Sequence, residues 1–131
     1  MSIPTFEEAV SNIVCKDPRF SARAYSFLKD ALDFTVQRVE EQENGSPRHV
    51  SGQELLDGFR DYALNQFGPM AATVMKEWGL KSGSNVGEMV FALIDEDVFS
   101  KQPGDSLDDF KGFTSFRKVF EEPFEFREED A

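Results

Sequence analysis

Apolar residues recur along this chain at spacings of three and four, the pattern of helices that each bury one face. From Pro4 to Cys15, Phe6, Ala9, Val10, Ile13 and Val14 share one stripe, Pro4 suits a first turn, and Glu7 and Glu8 complement the positive pole of the helix. Asp17-Pro18 interrupts the pattern, because the residue before a proline is pushed out of the helical region. From Ser21 to Glu43, Ala24, Leu28, Ala31, Thr35 and Val39 form a second stripe, widened by Tyr25, Phe27, Leu32 and Phe34. That width predicts a globular core helix rather than a coiled-coil seam. Glu43-Asn-Gly-Ser-Pro47 gathers several breakers and predicts a loop.

The stretch His49 to Gly79 is the most explicit. Ser51-Gly-Gln-Glu54 has the form of a capping box, with Val50 placed to staple against Leu55. Leu55, Leu56, Phe59, Ala63 and Phe67 make an inner face, and Gly68-Pro69 ends that helix and opens the next. The following helix buries Ala71, Val74, Met75 and Trp78 and stops at Gly79, with Leu80 placed to touch Met75. A further helix is expected after one of several possible N-caps from Ser82 to Asn85, with Asn85 and Glu88 at box spacing, through Val86, Met89, Val90, Leu93 and Ile94. It ends on Asp95-Glu96-Asp97, the wrong charge for the negative pole of a helix. After the turn signal Gln102-Pro-Gly-Asp105, Phe110, Phe113, Phe116, Phe120 and Phe124 recur at three and four, which reads as short segments docking phenylalanines onto the core. Glu121 to Asp130 holds six acids against Arg127, and residues 123–131 are expected to form a frayed acidic tail.

Composition narrows the partners. The chain has 131 residues, 40% of them hydrophobic and 14 of them Phe, enough apolar material for one domain spanning residues 1–122. A formal charge of -11 repels both nucleic acid and anionic membranes, so another protein is the expected partner. One cysteine cannot form an internal disulfide, no signal peptide opens the chain, and no apolar run approaches a spanning length, which together point to the cytoplasm.

Candidate chemistry is sparse. His49, the one histidine, precedes Ser51 by two positions, but Ser51 is already explained as a cap. Cys15 lies on the first apolar stripe and is expected to be a small core residue. Asp95, Asp97, Asp105 and Asp109 could gather oxygen ligands for a cation if the turn folds back. Counting from Asp95, the fifth and sixth positions are Phe99 and Ser100, which do not fit a calcium loop. No phosphate-cradling glycine loop, paired-cysteine motif or metalloprotease motif occurs, so no cofactor is expected.

The helices Pro69 to Trp78 and Asn85 to Val98, followed by a turn, resemble a winged helix-turn-helix whose wing would be a short β-hairpin within residues 98–113, with short helices as the alternative. Its second helix carries Glu88, Asp95, Glu96 and Asp97 and no Lys or Arg, the opposite of a DNA reader.

The chain also resembles an uncharacterised family of small bacterial proteins described from planctomycetes and verrucomicrobia. The likeness covers most of the chain and rests on Asp17-Pro18-Arg19, Ala24-Tyr25, His49 to Gly52, Phe67-Gly68, Trp78-Gly79, Gly87-Glu88, Val90-Phe91 and Asp109-Phe110. It implies a shared fold and carries no reaction, ligand or partner.

The reading is therefore a mainly α, single-domain helical bundle of about five to seven helices. Its expected role is a non-enzymatic protein interaction module. The rival is a ligand-binding protein or enzyme with a pocket between the Ser51 helix and the acid-rich turn, using His49, Arg60, Tyr62 and Glu88. A third reading is a nucleic-acid-associated regulator built on the winged element.

Overall fold

Thr5 opens the first helix of the computed structural model, which describes residues 4–43, 45, 49–101 and 105–125. Its hydroxyl accepts from the Glu8 amide at 3.2 Å while Glu8 accepts from the Thr5 amide, so α1 (Phe6–Lys16) starts after a reciprocal cap and Pro4 lies just outside it. Ala9, Val10 and Ile13 are buried along α1. Cys15 is exposed, against expectation, because it follows Ile13 by two positions, about 200° around the axis, and faces water.

Ser21 accepts from the Arg23 amide and caps α2 (Ala22–Gln42), whose 21 residues span about 30 Å. Ala24, Leu28, Ala31, Thr35 and Val39 are buried along it, as their spacing predicts. α2 packs chiefly on α3 (Gly52–Phe67). Gly68, at φ 51, closes α3, and one 3-10 turn (Gly68–Met70) leads into α4 (Ala71–Glu77). α4 ends in a Schellman motif: the Leu80 amide donates to the Met75 carbonyl at 2.9 Å and the Gly79 amide to Lys76 at 3.0 Å. Gly79 is needed twice there. Its φ is 87°, and a Cβ would stand 2.2 Å from the Arg19 carbonyl oxygen, where the Asp17-Pro18-Arg19 turn crosses it.

α5 (Gly83–Asp95) starts after Ser82, the first of the N-cap positions expected between Ser82 and Asn85. Asn85 sits third in the helix and its Oδ1 accepts from the Lys81 amide at 2.8 Å, so it serves the backbone before the helix instead of capping it. The Gly83 amide is taken by the Phe113 carbonyl at 2.7 Å, which ties this start to the C-terminal segment.

The other end of α5 explains how the acidic run is accommodated. Asp97 takes φ 64, the position glycine ordinarily fills, while the Asp97 and Val98 amides donate to Ile94 and Leu93 at 2.9 and 3.1 Å. Asp97→Gly is expected to stabilise the protein by about 1 kcal/mol, by removing a Cβ from the left-handed region and a charge from the negative pole. The check is urea unfolding: a higher midpoint at unchanged slope is expected, and a lower midpoint would show that the carboxylate itself holds the turn.

The expected hairpin wing is corrected. Among the described residues there is no strand, and Leu107–Phe110 is a 3-10 turn whose cap, Ser106, accepts from the Asp108 amide at 3.2 Å. The cause is Phe110, 3% exposed, whose ring packs so closely on α5 that a methyl at Gly87 would lie 2.9 Å from it. α6 (Phe116–Glu121) buries Phe116 and Phe120 and is followed by a 3-10 turn at Glu122–Phe124. Three of the C-terminal phenylalanines thus complete the core, whereas Phe124 is 47% exposed. Residues 126–131 of the expected tail, 102–104 of the turn and most of the 43–47 loop lie outside the described residues. No helix among the described residues is long and apolar enough to cross a membrane.

Candidate functional site

α2 packs chiefly on α3, whereas α5 packs chiefly on the Leu107–Phe110 turn and on α1, and the space between them is an open cleft of about 420 Å³. Leu32 and Val36 enter it from the flank of the α2 stripe, Val50 and Leu55 from the start of α3, and Val90 and Ile94 from α5. Phe99 and Phe110 complete this apolar floor. Lys29, Asp33, His49, Ser51, Asp105 and Asp109 form the lip. Phe6 packs against two of these residues, its ring stacked 6.4 Å from Phe99 and lying 5.1 Å from the Lys29 ammonium.

The lip residues are held by local hydrogen bonds. Ser51 Oγ accepts from the Glu54 amide at 3.1 Å and Glu54 Oε1 from the Ser51 amide at 3.0 Å, so the Ser51 oxygen is employed in starting α3 although the residue borders the cleft. His49 Nε2 lies 3.1 Å from Asp105 Oδ2. Asp109 accepts from the Ser106 amide at 3.1 Å. These are positioning contacts within an acidic rim.

The sequence candidates do not converge. Of the four ligand-binding candidates the cleft takes His49 alone. Arg60 lies on another face, 2.9 Å from Asp61 and 5.3 Å over the Phe113 ring. Tyr62 packs between Phe27 and Phe34, at 5.1 and 5.2 Å. Two positions on a helix are about 200° apart, so Arg60 and Tyr62 point different ways. Glu88 borders a separate hollow beside Arg19. The four metal candidates also divide. Asp105 and Asp109 line the cleft, Asp95 faces that other hollow, and Asp97 forms the turn after α5. Among the described residues no group of three or more His, Cys, Asp or Glu side chains could hold a metal ion.

The second hollow, about 220 Å³, is bounded by α1, the Asp17-Pro18-Arg19 turn, the start of α2 and α5. Arg19 grips both Asp17 oxygens, reaches Glu88 and lies 4.8 Å over the Phe20 ring. Hydrogen bonds from Arg19 hold the Asp17 carboxyl below the usual carboxylate range, and bonds to Asp17 and Glu88 raise the Arg19 guanidinium further. Burial pushes the Tyr25 phenol up to about 12. Sequence reasoning gave no hint of this cluster, since Arg19 and Glu88 are 69 positions apart. On the far side of α3, Asp61 sits 2.7 Å from Arg38 and 2.9 Å from Arg60. Partial burial raises its pKa, but the two guanidinium groups outweigh that and hold it below the ordinary value.

Comparison of the chain with family models, with curated proteins and with solved structures returns no match.

Proposed function

We propose that this protein is a non-enzymatic interaction module whose cleft between α2, α3 and α5 receives the apolar side chains of a basic, amphipathic segment of another protein. The observation that carries this reading is the continuous apolar floor rimmed by Asp33, Asp105 and Asp109 on a chain of net charge -11. An amphipathic helix binds by laying apolar anchors into such a groove, and opposite charge around the rim steers and orients it. Serine chemistry has little support, because the Ser51 oxygen is engaged in a cap and His49 faces Asp105. Nucleic acid is disfavoured by the acidic α5 and the overall charge. With one cysteine and no internal bridge, a cytoplasmic partner fits this reading.

A second reading, a small apolar ligand, has the cleft volume in its favour, since such pockets run about 300–1,000 Å³. One titration separates the two. A labelled helical peptide with leucine at i, i+3, i+4 and i+7 and lysine elsewhere is expected to bind saturably and more weakly as salt rises, whereas its glutamate counterpart is not. Ile94→Asp, with the fold checked by circular dichroism, is expected to weaken binding about tenfold, or about 1.4 kcal/mol. Equal binding of both peptides, or indifference to Ile94→Asp, would remove the proposal. Saturation by naphthalene with no response to the lysine peptide would favour the small ligand.

A further inference from the structure

The two ends of the cleft differ. α2 and α3 run antiparallel, since Phe27 meets Phe67 at 5.3 Å whereas Thr35, later in α2, meets Gly58, earlier in α3. Lys29 precedes Thr35 on α2 and Gly52 precedes Gly58 on α3, so they stand on opposite sides of that crossing, each about 9 Å from it at about 1.5 Å per residue. Asp109 belongs to the Gly52 end: a Cβ at Gly52 would lie 2.7 Å from Asp109 Cβ and 3.0 Å from the Phe110 ring. α5 repeats this polarity. Its first turns rest on Phe110, which a Cβ at Gly87 would approach to 2.9 Å, while beyond its last turn the Phe99 amide donates to the Leu93 carbonyl at 3.2 Å. Phe99 stacks on Phe6, whose ring lies 5.1 Å from the Lys29 ammonium.

Charge follows the same axis. At the Gly52 end stand Asp109 and, against His49 just ahead of Ser51, Asp105. At the Phe99 end stands Lys29, which forms no ion pair among the described residues. Asp33, one turn on from Lys29, extends the acidic side toward the Gly52 end. The apolar floor runs between these poles.

An α-helix carries about half a positive charge at its N-terminus and about half a negative charge at its C-terminus. Given the proposed docking of a helix in the cleft, on which this rests, we infer that the bound helix lies in one direction, with its N-terminal end and its cationic side chains against Asp105 and Asp109 and its C-terminal end against Lys29. The reversed helix would set its negative pole on two carboxylates and its positive pole on an ammonium. Lys29 is therefore the residue that sets direction. The partner segment is one whose lysines or arginines gather in its N-terminal half.

The test is an NMR titration of the full 15N-labelled chain with two helical peptides of equal composition, both with leucine at i, i+3, i+4 and i+7. One carries its lysines in the N-terminal half and glutamines in the C-terminal half, and the other has them exchanged. The first is expected to bind about threefold more tightly at low salt, and Lys29→Glu, at an exposed position, to abolish that preference. A nitroxide at the N-terminus of the first peptide is expected to broaden the amides of Gly52, Asp109 and Phe110, and one at its C-terminus those of Phe6, Lys29 and Phe99. Saturable binding with the opposite pattern, with both ends broadened equally by either label, or with a preference indifferent to Lys29→Glu would overturn the direction and leave the cleft a docking groove. Saturation by neither peptide would remove the groove itself, and the direction with it.

Discussion

Gly58→Ala is expected to destabilise the protein by about 3 kcal/mol, although alanine inside a helix is ordinarily worth about 1 kcal/mol over glycine. The reversal comes from how closely α3 lies on α2. A Cβ at residue 58 would stand 1.8 Å from Thr35 Oγ1 and 2.9 Å from Thr35 Cβ. Thr35 cannot swing away, since it is fully buried and its hydroxyl donates to the Ala31 carbonyl at 2.7 Å. The two helices must separate or Thr35 must break its bond, and either disturbs the largest contact in the fold. Thr35→Ala removes the clashing oxygen, so the double variant is expected to be more stable than Gly58→Ala alone by about 1 kcal/mol or more. Urea unfolding of the four proteins in the cycle checks this. Stabilisation by Gly58→Ala would mean that α2 and α3 are not this close.

Phe59→Ala is expected to cost about 4 kcal/mol, a large share of the roughly 5–15 kcal/mol that holds an ordinary domain together. Phe59 has no exposed surface. Its ring meets Phe27 of α2 edge-on at 5.2 Å and stacks on Phe116 of α6 at 6.0 Å, and Phe116 in turn meets Phe120 at 5.1 Å. Truncation would open a cavity where the N-terminal and C-terminal helices join, and the near-ultraviolet aromatic signal should fall with stability. Phe124→Ala serves as the control, because that ring is 47% exposed and its loss should change stability by about 0.5 kcal/mol or less. A cost below about 2 kcal/mol for Phe59→Ala would contradict this packing.

Structure was legible in the sequence wherever a side chain acts on its own backbone. Ser51 caps α3, and Gly68 and Gly79 end α3 and α4, because these effects reach only three or four residues. Thr5-Phe-Glu-Glu8 carries the same signature as Ser51 to Glu54 and places the start of α1 after Pro4. Asn85 was harder, since a residue that reaches back from the third helical position has the same spacing to Glu88 as an N-cap. What periodicity cannot supply is the partner of each face. Leu32, Val36 and Ile94 look like core positions along the chain and become the wall of a cleft only because α2 and α5 lean on different neighbours. For the same reason His49, Arg60, Tyr62 and Glu88 seemed able to converge, whereas the helices carry them to separate faces. The meeting of Arg19 with Glu88 depends on tertiary packing alone.

Whether the cleft is the docking surface is tested most directly by a methyl-resolved NMR titration of the full chain with the leucine–lysine peptide. Leu32, Val36, Leu55, Val90 and Ile94 are expected to shift together and saturate at one equivalent, while Leu64 and Val119, which border a separate depression, stay in place. Shifts centred on Leu64 and Val119, or no saturation at any methyl group, would contradict the assignment.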